Sequence, residues 1–197
     1  MSFETAAALP VNYLTAHHML FRVGSLRPRG RVLVHMAAVG VGLAVLQLCR
    51  TLDDVTVFGT ASTAKHDVLL EAGCTHPIDY RTESYVHESR EVTAGAGVDI
   101  VLDPLGGADW KANYRLLRPA GRLVAYGFST GPRRNYIQLA RQLLASPLYS
   151  PLTLMNDNRI IAGVNIGHLW HQPEIISEQL LRLIDLYQGR VHRTAHG

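Results

Sequence analysis

Cysteine is almost missing. Cys49 and Cys74 are the only two among 197 residues. Neither stands in a CxxC pair or a Cys/His cluster with metal-ligand spacing, which excludes a disulfide framework and leaves both as small core residues of a reducing compartment. Charge is sparse as well: 18% of residues are charged, 19 Lys+Arg against 16 Asp+Glu, for a formal net charge of +3. So small an excess leaves no nucleic-acid footprint, and the one tight basic pair outside turns, Arg133-Arg134, has no DNA- or RNA-binding motif around it. Ten histidines are scattered without an HExxH motif, so no metal site is predicted. No apolar run reaches the roughly 18 residues of a membrane span. The first residues, MSFETAAALPVNYL, lack the basic start and apolar stretch of a secretory signal. The expectation is a globular, cytoplasmic protein that binds no nucleic acid and has no integral membrane segment.

What is present is apolar and rhythmic. Hydrophobic residues make up 47% of the chain and glycine supplies 17 positions, which suits one domain with a sizeable core and is too apolar for disorder. Short apolar runs alternate with helical patterns. Strands are predicted over 31–35, 54–60, 76–79, 98–107, 121–127 and 159–166, and helices over 40–51, 62–72, 83–92, 108–117, 134–145 and 173–187. Gly73 stands where the second helix should stop. Residues 129–133 and 146–158 are the longest irregular stretches and suit loops at a cleft mouth. Strands apolar on both faces need helices on both sides. Two strand-helix-strand halves then make an α/β fold, a doubly wound parallel six-stranded sheet of the Rossmann kind.

The first strand runs through His35-Met36-Ala37-Ala38-Val39-Gly40-Val41-Gly42 straight into a helix. A helix N-terminus carries unpaired N–H groups and partial positive charge, which suits the pyrophosphate of a dinucleotide. Set against G-x-G-x-x-G, the three positions are Ala37, Val39 and Gly42. Only the third is glycine, and Gly40 is an extra one inside the turn. Taken alone, the segment reads equally as a plain tight strand-helix turn; the order of elements favours the cofactor. Val39 occupies the position where backbone approaches phosphate, and its two methyls crowd a ligand there.

The end of the second strand bears on which dinucleotide. An Asp or Glu there would select NAD through the ribose hydroxyl, but the strand ends Phe58-Gly59-Thr60-Ala61-Ser62, with Lys65 following. Asp53 and Asp54 lie at its other end. A hydroxyl and a cation suit a 2′-phosphate, hence NADPH. The plainer alternative makes Ser62 a helix N-cap and Lys65 part of a solvated face.

The strings VLVHMAAVGVGLAVLQLCR at 32–50, VTVFGTASTAKH at 55–66, THPIDYRTESYV at 75–86 and GVDIVLDPLGG at 97–107 together resemble the zinc-independent quinone oxidoreductase branch of the medium-chain dehydrogenase/reductases. Within it the likeness is to the vesicle amine transport protein homologue (synaptic vesicle membrane protein) group. AAALPVNYLTAHHMLF at 6–21 is similar to the segment by which that group enters its cofactor domain, and the likeness runs to about Gly189. The resemblance implies an NADPH-dependent oxidoreductase that passes hydride to a quinone or an enone, with the cofactor across the carboxyl ends of the strands. Carried over residue by residue, it implies that Gly40, Val41 and Gly42 face the pyrophosphate, with Val39 replacing a usual glycine. Ser62, Lys65 and Tyr80 would hold the 2′-phosphate; Gly106, Tyr126, Gly127, Phe128, Val164 and Asn165 would lie at the nicotinamide. Tyr80 reads equally as a surface aromatic, and Asn165 as a strand residue satisfying local backbone.

Family members also carry a GroES-like β-rich domain, which this chain is expected to lack. Residues 1–29 are expected to form a lead-in segment and helix, 30–189 the dinucleotide-binding domain, and 190–197 a truncated return to the missing domain. A four-cysteine zinc loop is missing too, as the branch implies, and the group's name adds peripheral membrane association to the expectation. The hard chemistry belongs to the cofactor, and no catalytic side chain is predicted. His35 is expected to be a satisfied core histidine and Asp103 a cap on the turn after the fourth strand. With one wall of the cleft missing, a bound nicotinamide would face water, and turnover is expected near background.

The alternative of another class is a folded, non-enzymatic interaction module that has lost the cofactor. A methyltransferase is more distant, because six strands and GTASTAK argue against it. Under either of the first two readings, RIIAGVNI at 159–166 is expected at the sheet edge. There its unpaired N–H and C=O groups invite the same strand of a second copy, giving a homodimer.

Overall fold

The computed structural model describes residues 9–107, 109–127 and 146–194. Six strands form one parallel sheet: β1 (Arg31–Val34), β2 (Thr56–Ala61), β3 (His76–Asp79), β4 (Val98–Asp103), β5 (Leu117–Ala125) and β6 (Ile160–Gly163). Their order is β3-β2-β1-β4-β5-β6. The helices are a lead-in run over 9–23, then α1 (Gly40–Cys49), α2 (His66–Ala72), α3 (Tyr85–Val92), α4 (Asp109–Leu116), α5 (Pro151–Asp157) and α6 (Pro173–Thr194). This is the doubly wound sheet expected from the sequence, with the order reversing between β1 and β4.

The pleat sorts the core onto two faces. In β1, Val32 and Val34 pack on one side and Leu33 on the other; in β4, Ile100 and Leu102 oppose Val101; in β5, Val124 opposes Leu123. None of these is more than 1% exposed, and each buried side chain of this size stabilises the fold by about 2 kcal/mol. Leu14 of the lead-in run, Ala44 of α1, Leu69 of α2 and Ile176 of α6 cover the first face. Tyr85 of α3, Tyr114 of α4 and Leu154 of α5 cover the second. Both faces are roofed, so the central strands need no polar side.

Several boundaries move. Residues 146–158 are not irregular throughout: the Ser150 hydroxyl accepts the Thr153 N–H and Pro151 takes the first turn, so α5 forms. Ser followed by Pro is a helix start. β6 stops at Gly163, short of the predicted 166, so Val164 and Asn165 lie just beyond the strand. Asn165 turns its side-chain oxygen to the Gly167 N–H and opens a 3-10 turn over Ile166–Leu169. β5 begins earlier than predicted, at Leu117, with an irregular step against β4 between Val98 and Ile100. Gly73, at φ 111°, closes α2 as expected. The expected helix 134–145 and loop 129–133 lie outside the described residues. β6 sits at one edge of the sheet with Ile160 41% exposed. Among the described residues no helix is long and apolar enough to cross a membrane.

Where the lead-in run meets α6, two buried histidines share one amide. The Gln179 oxygen lies 3.3 Å from Nδ1 of His17, and its nitrogen lies 3.1 Å from Nδ1 of His18 and 3.0 Å from the Ile175 carbonyl. An amide oxygen only accepts and an amide nitrogen only donates. His17 therefore carries its proton on Nδ1 and His18 on Nε2, and a second proton on His18 would set donor against donor. Burial, outweighing the Gln179 bonds, holds both imidazoles below the ordinary 6.5; Arg182 acts on His17 and Arg22 on His18 in the same direction, while Glu178 opposes at His17. A lowered pKa in the folded state means that the unfolded chain takes up more protons once the pH drops below 6.5, so stability is lost on that side and not above it. The urea midpoint should hold from pH 8 to 7 and fall below 6.5, and H17F/H18L should flatten that fall. An unchanged fall in the double variant would refute the assignment.

Candidate functional site

The carboxyl end of β1 and β4 is organised by one buried carboxylate. Asp103, fully buried, accepts the N–H groups of Leu105 at 2.5 Å and Gly106 at 3.1 Å on Oδ1, and the Asn113 amide at 2.6 Å on Oδ2. This is the turn-capping role expected for Asp103. Asn113 of α4, also fully buried, turns its oxygen to Nε2 of His35 at 3.0 Å, and Nδ1 of His35 meets the Thr60 hydroxyl at 3.3 Å. Thr60 in turn accepts the Met36 N–H at 3.2 Å. Because the Asn113 nitrogen faces Asp103, its oxygen must receive a proton from His35, which places a proton on Nε2 of that ring. His35 is 1% exposed and satisfied at both nitrogens, as the sequence suggested.

The turn from β1 into α1 separates what the fold needs from what a ligand needs. Val39, at φ −121° and ψ 164°, is extended backbone that any residue adopts, and no side chain caps the helix it precedes. Its side chain is 42% exposed and lines the adjoining cleft. Gly42 is different: a Cβ there would lie 2.6 Å from the carbonyl oxygens of both Met36 and Ala37, so helix and strand end can approach only with glycine. The atoms nearest to a Cβ on Gly40 would be those of the Asn12 side chain, from 2.6 Å outward.

A cleft of about 570 Å³ opens beside this turn. Val39, Ser62, Lys65 and Tyr80, all singled out in the sequence, line it together. Ser62 stands at the start of the turn Thr63–Lys65 without making a side-chain cap bond. Tyr80 is 57% exposed with the Arg81 guanidinium 5.7 Å from its ring centre. Arg81, Tyr85 and Asp109 also line the cleft and were missed. Arg81 is a cation directly after Tyr80, a legible signal; Tyr85 and Asp109 carry none, since only folding brings α3 and α4 to this edge. Burial, then Asp109, pushes the Tyr85 phenol well up; burial also pushes the Asp109 carboxyl up, with Asp103 adding to it and His35 opposing.

The residues assigned to the nicotinamide side lie farther along the same carboxyl edge. The Tyr126 N–H bonds the Asp103 carbonyl at 3.1 Å, Gly127 lies against Pro104, and the Val164 N–H bonds the Ala125 carbonyl at 2.8 Å. Gly106 has φ 80°. Burial, then Asp103, pushes the Tyr126 phenol well up. Phe128 lies outside the described residues. Asn165 is exposed and occupied by its Gly167 bond. Burial raises Cys49 to about 12 and Cys74 to about 11, so neither is a thiolate nucleophile at neutral pH. Among the described residues, the one group with metal-ligand proximity is His87, Glu88 and Glu91 on α3, away from the cleft lining.

A parallel sheet of this order with a glycine-bearing turn into α1 is the fold of the cofactor-binding domains of medium-chain oxidoreductases. Residues 40–184 match the family described as zinc-binding dehydrogenase. The chain belongs to that family, within the medium-chain dehydrogenase/reductases, as the sequence strings indicated. The Mus musculus synaptic vesicle membrane protein VAT-1 homolog is 51% identical over 195 residues, which cover 97% of this chain and 48% of that protein. The human VAT-1 homolog-like protein, as a crystal structure, superposes with a TM-score of 0.75 at 39% identity, covering 96% of this chain and 51% of its own. Escherichia coli quinone oxidoreductase complexed with NADPH gives 0.77 at 27% identity, covering 94% and 53%. The chain spans about half the length of the curated relatives it matches.

Replacing Asn113 by Leu keeps the volume but strands the Asp103 carboxylate and the His35 N–H in a dry interior, at a cost of about 3 kcal/mol. Urea unfolding of N113L should show it. A loss below about 1 kcal/mol would mean that water replaces the amide.

Proposed function

We propose that the chain is the NADPH-binding domain, residues 30–189 with the lead-in over 1–29, of a zinc-independent reductase that passes hydride to a quinone or an enone. The observation that carries this reading is the cleft end where Ser62, Lys65, Tyr80 and Arg81 come together with no acid at the end of β2. Two cations, an aromatic and a hydroxyl suit a 2′-phosphate. The uncapped first turn of α1 suits the pyrophosphate, with Gly40, Val41 and Gly42 offering N–H groups. Gly106, Tyr126, Gly127, Phe128, Val164 and Asn165 are assigned to the nicotinamide end by the family resemblance. The NADPH in the related E. coli structure supports the choice of cofactor.

When bound, the reduced nicotinamide supplies the hydride; the chain's own residues hold and orient it, and none of them is assigned a proton-transfer role. Turnover is assigned to the whole protein, and these 197 residues by themselves should bind cofactor with little activity. A peripheral membrane location rests on the relatives' names alone. The edge position of β6 supports a homodimer through that strand, and sedimentation at micromolar concentration should show two copies; monomer alone would refute it.

Val39 favours the second reading, an interaction module without cofactor, because its side chain occupies cleft space without any backbone need for it or against it. Titration of the purified chain with NADPH and NADH decides between them. NADPH should bind well below millimolar, with NADH at least about ten-fold weaker, the worth of a charge-assisted phosphate contact. V39G should tighten NADPH by about five-fold. A cooperatively melting chain that binds neither nucleotide, with or without V39G, would leave the interaction module.

A further inference from the structure

Two loops carry the cationic end of the cleft, one after β2 and one after β3, and a single carboxylate joins them. The last residues of the two strands, Ala61 and Asp79, stand side by side in register. Asp79 is 7% exposed. Its Oδ2 accepts the Thr63 N–H at 3.2 Å and also the Thr63 hydroxyl; its Oδ1 accepts the Arg81 N–H at 3.0 Å. Its own N–H donates to the Glu83 carboxylate at 2.6 Å, and its carbonyl accepts the N–H groups of Thr82 and Glu83 at 3.1 and 2.9 Å. Thr63 lies between Ser62 and Lys65, and Arg81 follows Tyr80. Ser62, Lys65 and Tyr80 thus sit one or two positions from the groups that Asp79 holds, and Arg81 is one of those groups.

We propose that Asp79 is a positioning residue for nucleotide selectivity: it clamps the Ser62–Lys65 turn to the end of β3, so that Lys65 and Arg81 converge on a 2′-phosphate. The proposal rests on the NADPH reading. An acid near the ribose would ordinarily favour the 2′-hydroxyl of NAD. Here the acid is on the neighbouring strand and both its oxygens are turned to Thr63 and Arg81 N–H donors, so its charge serves the loops. The Thr63 hydroxyl, first among these donors, holds the carboxyl below its usual range, which keeps the clamp ionised at neutral pH.

Through-space repulsion between Asp79 and a phosphate would act the other way, and the two effects predict opposite results. In D79N the amide nitrogen must face either Thr63 or Arg81, donor against donor, so one loop is released. The test is calorimetric titration of the full chain with 2′,5′-ADP and with 5′-AMP. The wild-type chain should prefer 2′,5′-ADP, and D79N should lower that preference by about five-fold, the loss of one charge-assisted contact. T63V, which keeps the volume and removes the hydroxyl, should lower it in the same direction, while T63S should keep it. T63V carries the test if D79N does not fold. A preference that stays the same or rises in both D79N and T63V overturns the clamp and leaves the NADPH reading intact. A wild-type chain with no preference overturns the NADPH reading and the clamp with it.

Discussion

The Asp103 carboxylate is the constraint on which the carboxyl edge depends. A charge removed from water costs several kcal/mol unless its lone pairs are met, and Asp103 is met by two turn N–H groups and one amide. Meeting it commits Asn113, which places a proton on Nε2 of His35; the other ring nitrogen meets Thr60, which accepts the Met36 N–H. Four segments are tied in sequence: the turn after β4, helix α4, the end of β1 and the end of β2. Losing the Asn113 amide alone would leave two buried polar groups, the Asp103 Oδ2 and the His35 Nε2–H, without these partners. The corner from which the cleft opens is rigid for that reason.

The cleft has a second organising point at its other end, built differently. Asp103 is fully buried and holds the turn after β4 to α4; Asp79, 7% exposed, holds two loops. Val39 lines the cleft with an extended backbone that asks nothing of the fold. Gly42, three residues on, has no such freedom, because two backbone carbonyls lie where a Cβ would be. Packing therefore dictates one glycine of the turn, while any demand for glycine at position 39 comes from a ligand.

Most of the fold was legible because the central strands are covered on both faces. Val32 to Val34 and Ile100 to Leu102 read as continuous apolar runs for the same reason that they are buried. The misplaced boundaries fall where a short polar side chain decides. Ser150 starts α5 and Asn165 ends β6 through bonds to backbone two or three residues away, a signal much weaker than periodicity. The candidate site was half legible. Ser62, Lys65 and Tyr80 follow strand ends that could be located, so their meeting in one cleft could be foreseen. Tyr85 and Asp109 come from helix starts with no motif of their own.

The amino-acid sequence by itself determined the layered parallel sheet, its six strands, the helix that opens at Gly40 and the family to which the chain belongs. The fold rests on periodicity and local turn chemistry, which act between neighbours along the chain, and the family on the resemblance of four stretches of sequence. Only the tertiary structure decided that Asp103 reaches Thr60 through Asn113 and His35, that Asp79 joins two loops, and that Val39 faces the cleft. Each of those depends on groups separated by as many as 78 residues, and no local pattern specifies which buried donor will meet which acceptor until the strands are in register.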